Sequence, residues 1–166
     1  MQIKPGILLV SVPDEDDPLF DKVVMYVAEY NAKGALGFVI NQLFPRKFNE
    51  LEEFKLAKPL LLFDGGPVER EHLFFLHCRP DHIEGGAAIT GKTYLGGNFK
   101  QAVQCCTNNT IAVNDLQLFI GYCGWDADQL EAEIAGDSWL VIDKGEDYLF
   151  KQPGDVVWED IYSAYK

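Results

Sequence analysis

The run DLQLFIGYCGWDADQLEAEIAGDSWLVI, from Asp115 to Ile142, restricts the possible folds more than any other part of the chain. Leu116 to Tyr122 reads as a strand, and Gly121 and Gly124 bracket an expected turn before Trp125. Asp126 with Gln129 three residues on has the spacing of a helix-capping pair. Leu130 and Ile134, four apart, give the short helix its inward face. Gly136 stands where such a helix stops, and Trp139 to Asp143 returns as a strand.

Strands dominate the N-terminal half. Residues 6–12, GILLVSV, form a continuous apolar run closed by Pro13, as a buried strand does. VVMYVAE, residues 23–29, and ALGFVIN, residues 35–41, are expected to form a hairpin. Its connection is Asn31-Ala32-Lys33-Gly34, with Gly34 free to take positive φ. Gly37 inside the second strand marks a bulge or a close backbone approach. Residues 48–56, FNELEEFKL, suit a short helix capped by Asn49, with Phe48, Leu51, Phe54 and Leu56 inward. Short strands follow at Leu60 to Phe63 and Leu73 to His77. A glycine-rich loop then leads to a helix from Asn98 to about Cys106, with Gln101 completing a capping box. Val157, Trp158, Ile161, Tyr162 and Tyr165 form the apolar side of a terminal helix. No internal repeat or linker interrupts residues 1–166, so one domain is expected.

Charge narrows the function classes. Twenty-six acids against fourteen bases give a net charge of −12. A surface of that sign repels phosphate, and no helix-turn-helix with basic recognition residues is visible, so direct nucleic-acid binding is not expected. No apolar run approaches the roughly 18 residues of a membrane span, and no signal peptide is evident. Cys78, Cys105, Cys106 and Cys123 lack paired zinc-ligand spacing. Free thiols in a reducing cytoplasm are the expectation, with no metal and no cofactor. The acidic run Asp14-Glu15-Asp16-Asp17 lacks the alternating spacing of a calcium loop.

Several runs taken together resemble the YqgE/AlgH family. They are Gly34-Ala35-x-Gly37-x-Val39-x-Asn41, Gly65-Gly66-Pro67-Val68, Leu76-His77, Gly121-Tyr122-Cys123-Gly124-Trp125, Gln129-Leu130-Glu131-x-Glu133 and Trp139-Leu140. The resemblance spans nearly the whole chain. It implies an α+β fold, a strongly bent, bifurcated β-sheet closing into a pseudo-barrel with short helices packed around it. It also implies a family without an established enzymatic activity, whose members are often labelled transcriptional regulators. The chain departs from the family pattern at Tyr30, where a histidine is usual, at Gln42-Leu43, where Arg-Pro is frequent, and at Asp126-Ala127-Asp128, which replaces a turn richer in glycine and proline.

The candidate ligand- or partner-binding residues are Asn41, Gly65, Gly66, Pro67, His77, Trp125, Gln129 and Glu133. Gly65-Gly66-Pro67 can offer backbone N–H groups to a phosphate, or can simply make a tight turn. His77 is the most plausible polar functional group of the His/Cys set, with a hydrogen-bonded structural histidine as the plainer reading. Gln129 and Glu133 share a helix face, and Trp125 and Trp139 flank that helix as groove walls or as packing. Asn41 either orients a ligand or bonds a turn backbone. The leading expectation is a non-enzymatic cytoplasmic binding or regulatory protein acting through a protein partner or a small ligand. The alternative is an enzyme of hydrolase or phosphate-ester type using the Gly65-Gly66 loop and His77.

Overall fold

In the computed structural model, which describes residues 2–13 and 21–166, the strand β8 (Leu116–Asp126) organises the sheet. The acidic run at 14–17 lies outside the described residues. β5 (Val68–His77) pairs antiparallel along one edge of β8. The other edge is shared. β4 (Leu62–Asp64) runs parallel to residues 118–120, and β3 (Gly34–Val39) runs antiparallel to residues 123–126. The sheet therefore forks at Gly121. From there it continues through β2 (Val24–Asn31) and β1 (Leu8–Ser11) to β9 (Trp139–Ile142). On the other side it continues from β5 through the two-residue strands β7 (Tyr94–Leu95) and β6 (Ala87–Ala88). This is the bent, bifurcated α+β sheet that the sequence resemblance implies, curled into an open half-barrel.

Gly121 does more than mark the fork. Before it, Leu116, Leu118 and Ile120 point into one apolar cluster and Phe119 into another. After it, Tyr122 joins the Phe119 side, while Cys123 and Trp125 enter a third cluster. The alternation of faces slips by one residue, as at a β-bulge. Its φ of +72° and a built Cβ only 2.3 Å from the Gly66 carbonyl oxygen make this position glycine's. The expected turn before Trp125 is thus absent, and the strand runs on through Asp126.

Each apolar cluster has its own lid. α1 (Phe99–Thr107) covers the Leu116/Leu118 side with Ala102 and Cys106. α2 (Gln129–Ala135) covers Trp125 and Cys123 with Leu130. α3 (Glu146–Leu149) and α4 (Trp158–Tyr165) close the Phe119 side through Leu149, Trp158 and Ile161. The Trp158 indole N–H donates to the Ser11 carbonyl at 3.0 Å, which ties the terminal helix to β1.

Local departures from expectation have local causes. The hairpin between β2 and β3 turns on two residues, Ala32 and Lys33, because Asn31 already pairs with Gly34. A bulge lies in β2 between Val27 and Glu29, and Gly37 opposite allows the close approach of Tyr26 and Met25. Residues 48–54 form two 3-10 turns rather than a helix, because Leu51 between them is extended (φ −77°, ψ 133°). Asn49 lies inside the first turn and Lys47 takes the capping position. Leu56 is 96% exposed, not inward.

The capping boxes are half-made. The Asn98 side chain accepts from the Gln101 N–H, but the Gln101 side chain accepts from Glu84 instead of answering. Asp128, not Asp126, stands at the start of α2, in the left-handed region. Gly136 ends that helix at ordinary φ, and Asp137 supplies the left-handed residue. Among the described residues, no helix is long and apolar enough to cross a membrane.

Candidate functional site

The eight residues expected to bind a ligand fall into three separate places. Gly65 sits in the crotch of the fork. Its N–H donates to the Ile120 carbonyl on β8 at 2.8 Å, and its carbonyl accepts from the Val39 N–H on β3 at 3.0 Å. Gly66 (φ +154°) presses so close that a Cβ would lie 2.3 Å from the Tyr122 carbonyl. The Gly66 carbonyl accepts from Arg70, whose guanidinium also pairs with Asp64. Pro67 has no N–H to give. Gly65 thus spends both its backbone groups on joining strands. Asn41 is nearby and equally committed, accepting from the Val24 N–H and donating to the Lys22 carbonyl, both at 2.9 Å.

His77 lies at the other end of β5, opposite Leu116. Gly65 meets β8 at Ile120, four residues further along, or about 13 Å of strand. The His77 ring is fully buried between Phe75 and Tyr94. Nδ1 accepts from the Arg79 N–H at 3.0 Å, and Nε2 faces the Gly96 carbonyl at 3.1 Å. With one nitrogen accepting and the other donating, the ring is a neutral imidazole of fixed tautomer. Burial pulls its pKa below the ordinary value. The Gly65-Gly66 loop and His77 do not share a pocket.

Trp125, Gln129 and Glu133 do come together. One oxygen of Glu133, Oε1, accepts from the indole N–H of Trp125 at 3.1 Å and of Trp139 at 3.0 Å. The two indoles meet edge to face, 6.3 Å between centroids. Gln129 turns back to accept from the Asp126 N–H at 2.9 Å. The group is a clip that fixes α2 across β8 and β9, with the indoles buried beneath it.

All four cysteines are free thiols. Burial pushes Cys78 up to about 11 and Cys123 to about 12, so both are protonated and weakly nucleophilic at neutral pH. Among the described residues one group, Glu69, Glu71 and His72, brings metal-ligating atoms within 4.8 Å of one another, all exposed.

A cleft of about 170 Å³ opens beside Gly66 and Pro67, with Asp64 and Arg70 in its lining, and a larger open surface lies elsewhere. On the face of the sheet opposite the Trp–Glu–Trp clip, a trough of about 480 Å³ crosses the ends of β2, β3, β8 and β5. Pairing places Glu29, Leu36 and Gly124 in one row across it and Asn31, Gly34 and Asp126 in the next. Val68 and Tyr122 complete one end. Glu69, hydrogen-bonded to the Tyr122 hydroxyl, pushes its pKa up, and the charge of Glu29 adds to this. Of the residues lining it, Trp125 alone was expected to bind a ligand, and the others were read, if at all, as strand, turn or capping residues. Their signal is a glycine at 124 inside a strand, which only the pairing can interpret. A second cleft, about 240 Å³ between Leu61, Val113 and Leu116, has no charged residue in its lining.

Comparison with known proteins matches residues 8–166 to a family described as AlgH-like. A UPF0301 protein of Chlorobaculum tepidum is 31% identical over 160 residues, covering 94% of this chain and 83% of its own. One from Cytophaga hutchinsonii is 32% identical, covering 94% and 86%. The solution structure of the AlgH protein from Pseudomonas aeruginosa superposes with a TM-score of 0.74 at 27% identity, covering 99% of this chain and 90% of that one. A Corynebacterium diphtheriae crystal structure, 18% identical, shares the fold with a TM-score of 0.75, covering 100% and 89%. The chain belongs to the AlgH-like family.

Proposed function

We propose that the protein is a non-enzymatic binding module of the cytoplasm, engaging a protein partner or a small ligand rather than duplex DNA. The observation that carries this reading is the commitment of the chemically capable groups. Both His77 nitrogens are bonded to backbone, and the Gly65 amide serves the fork. A general base needs a free lone pair within reach of a substrate proton, and an anion cradle needs free N–H groups. The net charge of −12 argues in the same direction against nucleic acid.

Native mass spectrometry of the untagged protein from its own host, before and after mild denaturation, tests this. A co-purifying protein, or a small molecule released unchanged on unfolding, supports the module. A bound substrate that the folded chain converts to product contradicts it. So does a salt-dependent shift of duplex DNA on a gel.

A further inference from the structure

Two features shape the open trough. The first is Gly124. Its φ lies outside the left-handed region, and a Cβ built there would meet only the Tyr122 Cε2, at an ordinary 3.5 Å. Gly34, diagonal to it on β3, is different, since it has φ +139° and a Cβ would overlap the Trp125 carbonyl at 2.0 Å. An alanine would fit at 124 and suit a strand better. What the missing side chain does is leave the floor of the trough open.

The second is the bulge in β2. It comes after Val27, so Glu29 stands opposite Leu36 on the trough face; strict alternation would have turned it to the other side. Bulges re-aim side chains in this way beside functional surfaces. The carboxylate aimed here joins Asp126, against one lysine, Lys33, and Glu69 lies beside the Tyr122 hydroxyl at the edge, within 4.0 Å of His72. Leu36 and Val68, the latter 37% exposed, supply an apolar wall beside these charges.

An apolar wall leading to an aromatic ring with Glu29 and Glu69 near it matches a side chain with an aliphatic stem and a cationic head. The trough volume is that of a pocket holding more than one such group. We propose that this trough docks an extended protein segment carrying arginine or lysine, one stem lying on Leu36 and Val68 with its cation against Tyr122 beside Glu29, and a further basic side chain meeting Asp126. The inference rests on the binding-module reading and names the chemistry of its partner.

The test is a titration of the nitrogen-15-labelled full chain with acetyl-(Gly-Arg)3-amide, and with acetyl-(Gly-Glu)3-amide as control. The arginine peptide should shift amides of residues 29–36 and 122–126 saturably, and the glutamate peptide should not. Glu29→Gln and Asp126→Asn should each weaken binding roughly two- to fivefold, the range of an exposed ion pair. Gly124→Val should abolish saturation while its unfolding midpoint stays at or above that of the parent. Should that variant fold poorly, the Glu29→Gln/Asp126→Asn pair decides alone.

Affinity left unchanged by these substitutions, or shifts spread over the whole acidic surface, overturns the proposal. Saturation of the trough by spermidine with the peptide silent overturns the protein segment in favour of a small polyamine. Saturable peptide binding elsewhere on the chain overturns the trough but leaves the binding module standing. Turnover of a co-purified substrate would instead remove the module reading itself.

Discussion

The last residues of β8 send their side chains to opposite fates. On one face Cys123 and Trp125 are buried under α2, with the indole N–H of Trp125 held by Glu133. On the other, Tyr122 is half-buried and Gly124 and Asp126 are exposed beside the trough. Both faces carry aromatic and acidic groups. What separates them is saturation: the clip face spends one carboxylate oxygen on two indoles, whereas the trough face sets Glu29 and Asp126 beside one lysine, Lys33. A surface devoted to stability satisfies its polar groups internally. A surface kept for binding leaves like charges together and a floor position without a side chain.

Breaking the closed face should cost most. Trp125→Ala removes a large buried ring from the third apolar cluster and should lower stability by about 3–5 kcal/mol in urea unfolding. Glu133→Ala leaves two indole donors without their charged acceptor and should cost about 2–3 kcal/mol. Glu133→Gln, which keeps an acceptor oxygen, should cost roughly half as much. Were either tryptophan a ligand wall rather than packing, these losses would be small.

The pH dependence sharpens the contrast from the far end of β5. Burial holds the His77 pKa below its ordinary value, so as pH falls the unfolded chain takes up the proton first. The stability contributed by the neutral ring is full above about pH 6.5 and declines as pH drops toward the lower folded value. Urea midpoints measured from pH 7.5 to 5 should fall, and His77→Gln should flatten that slope. A midpoint that rises on acidification would mean the ring is charged in the fold and not held by backbone.

How much of this was legible in the sequence follows from the range of the interactions. Strands rich in Val, Ile and aromatic residues declared themselves, because apolar continuity is local. The fork did not, since the slip of faces at Gly121 depends on Gly66 pressing against it from another strand. Gln129 and Glu133 were readable as one helix face from their spacing, with Trp125 and Trp139 flanking it, but the indole bonds needed β8 and β9 alongside. His77 is settled by Gly96, nineteen residues away, which no local pattern could name. The 48–56 helix failed at one extended residue, Leu51. Glu29 was hidden because period-two reading puts it on the wrong face, and only the bulge corrects that.

The smallest expected effect is the most telling. Gly124→Ala places a methyl where the fold has room, so equilibrium urea unfolding should show stability unchanged or raised by about 0.5–1 kcal/mol. That result would mean that the fold does not require the glycine, and that the open floor of the trough is its reason. A loss of more than about 1 kcal/mol would make Gly124 one more structural glycine like Gly34 and Gly121, and would contradict the division of β8 into a closed and an open face.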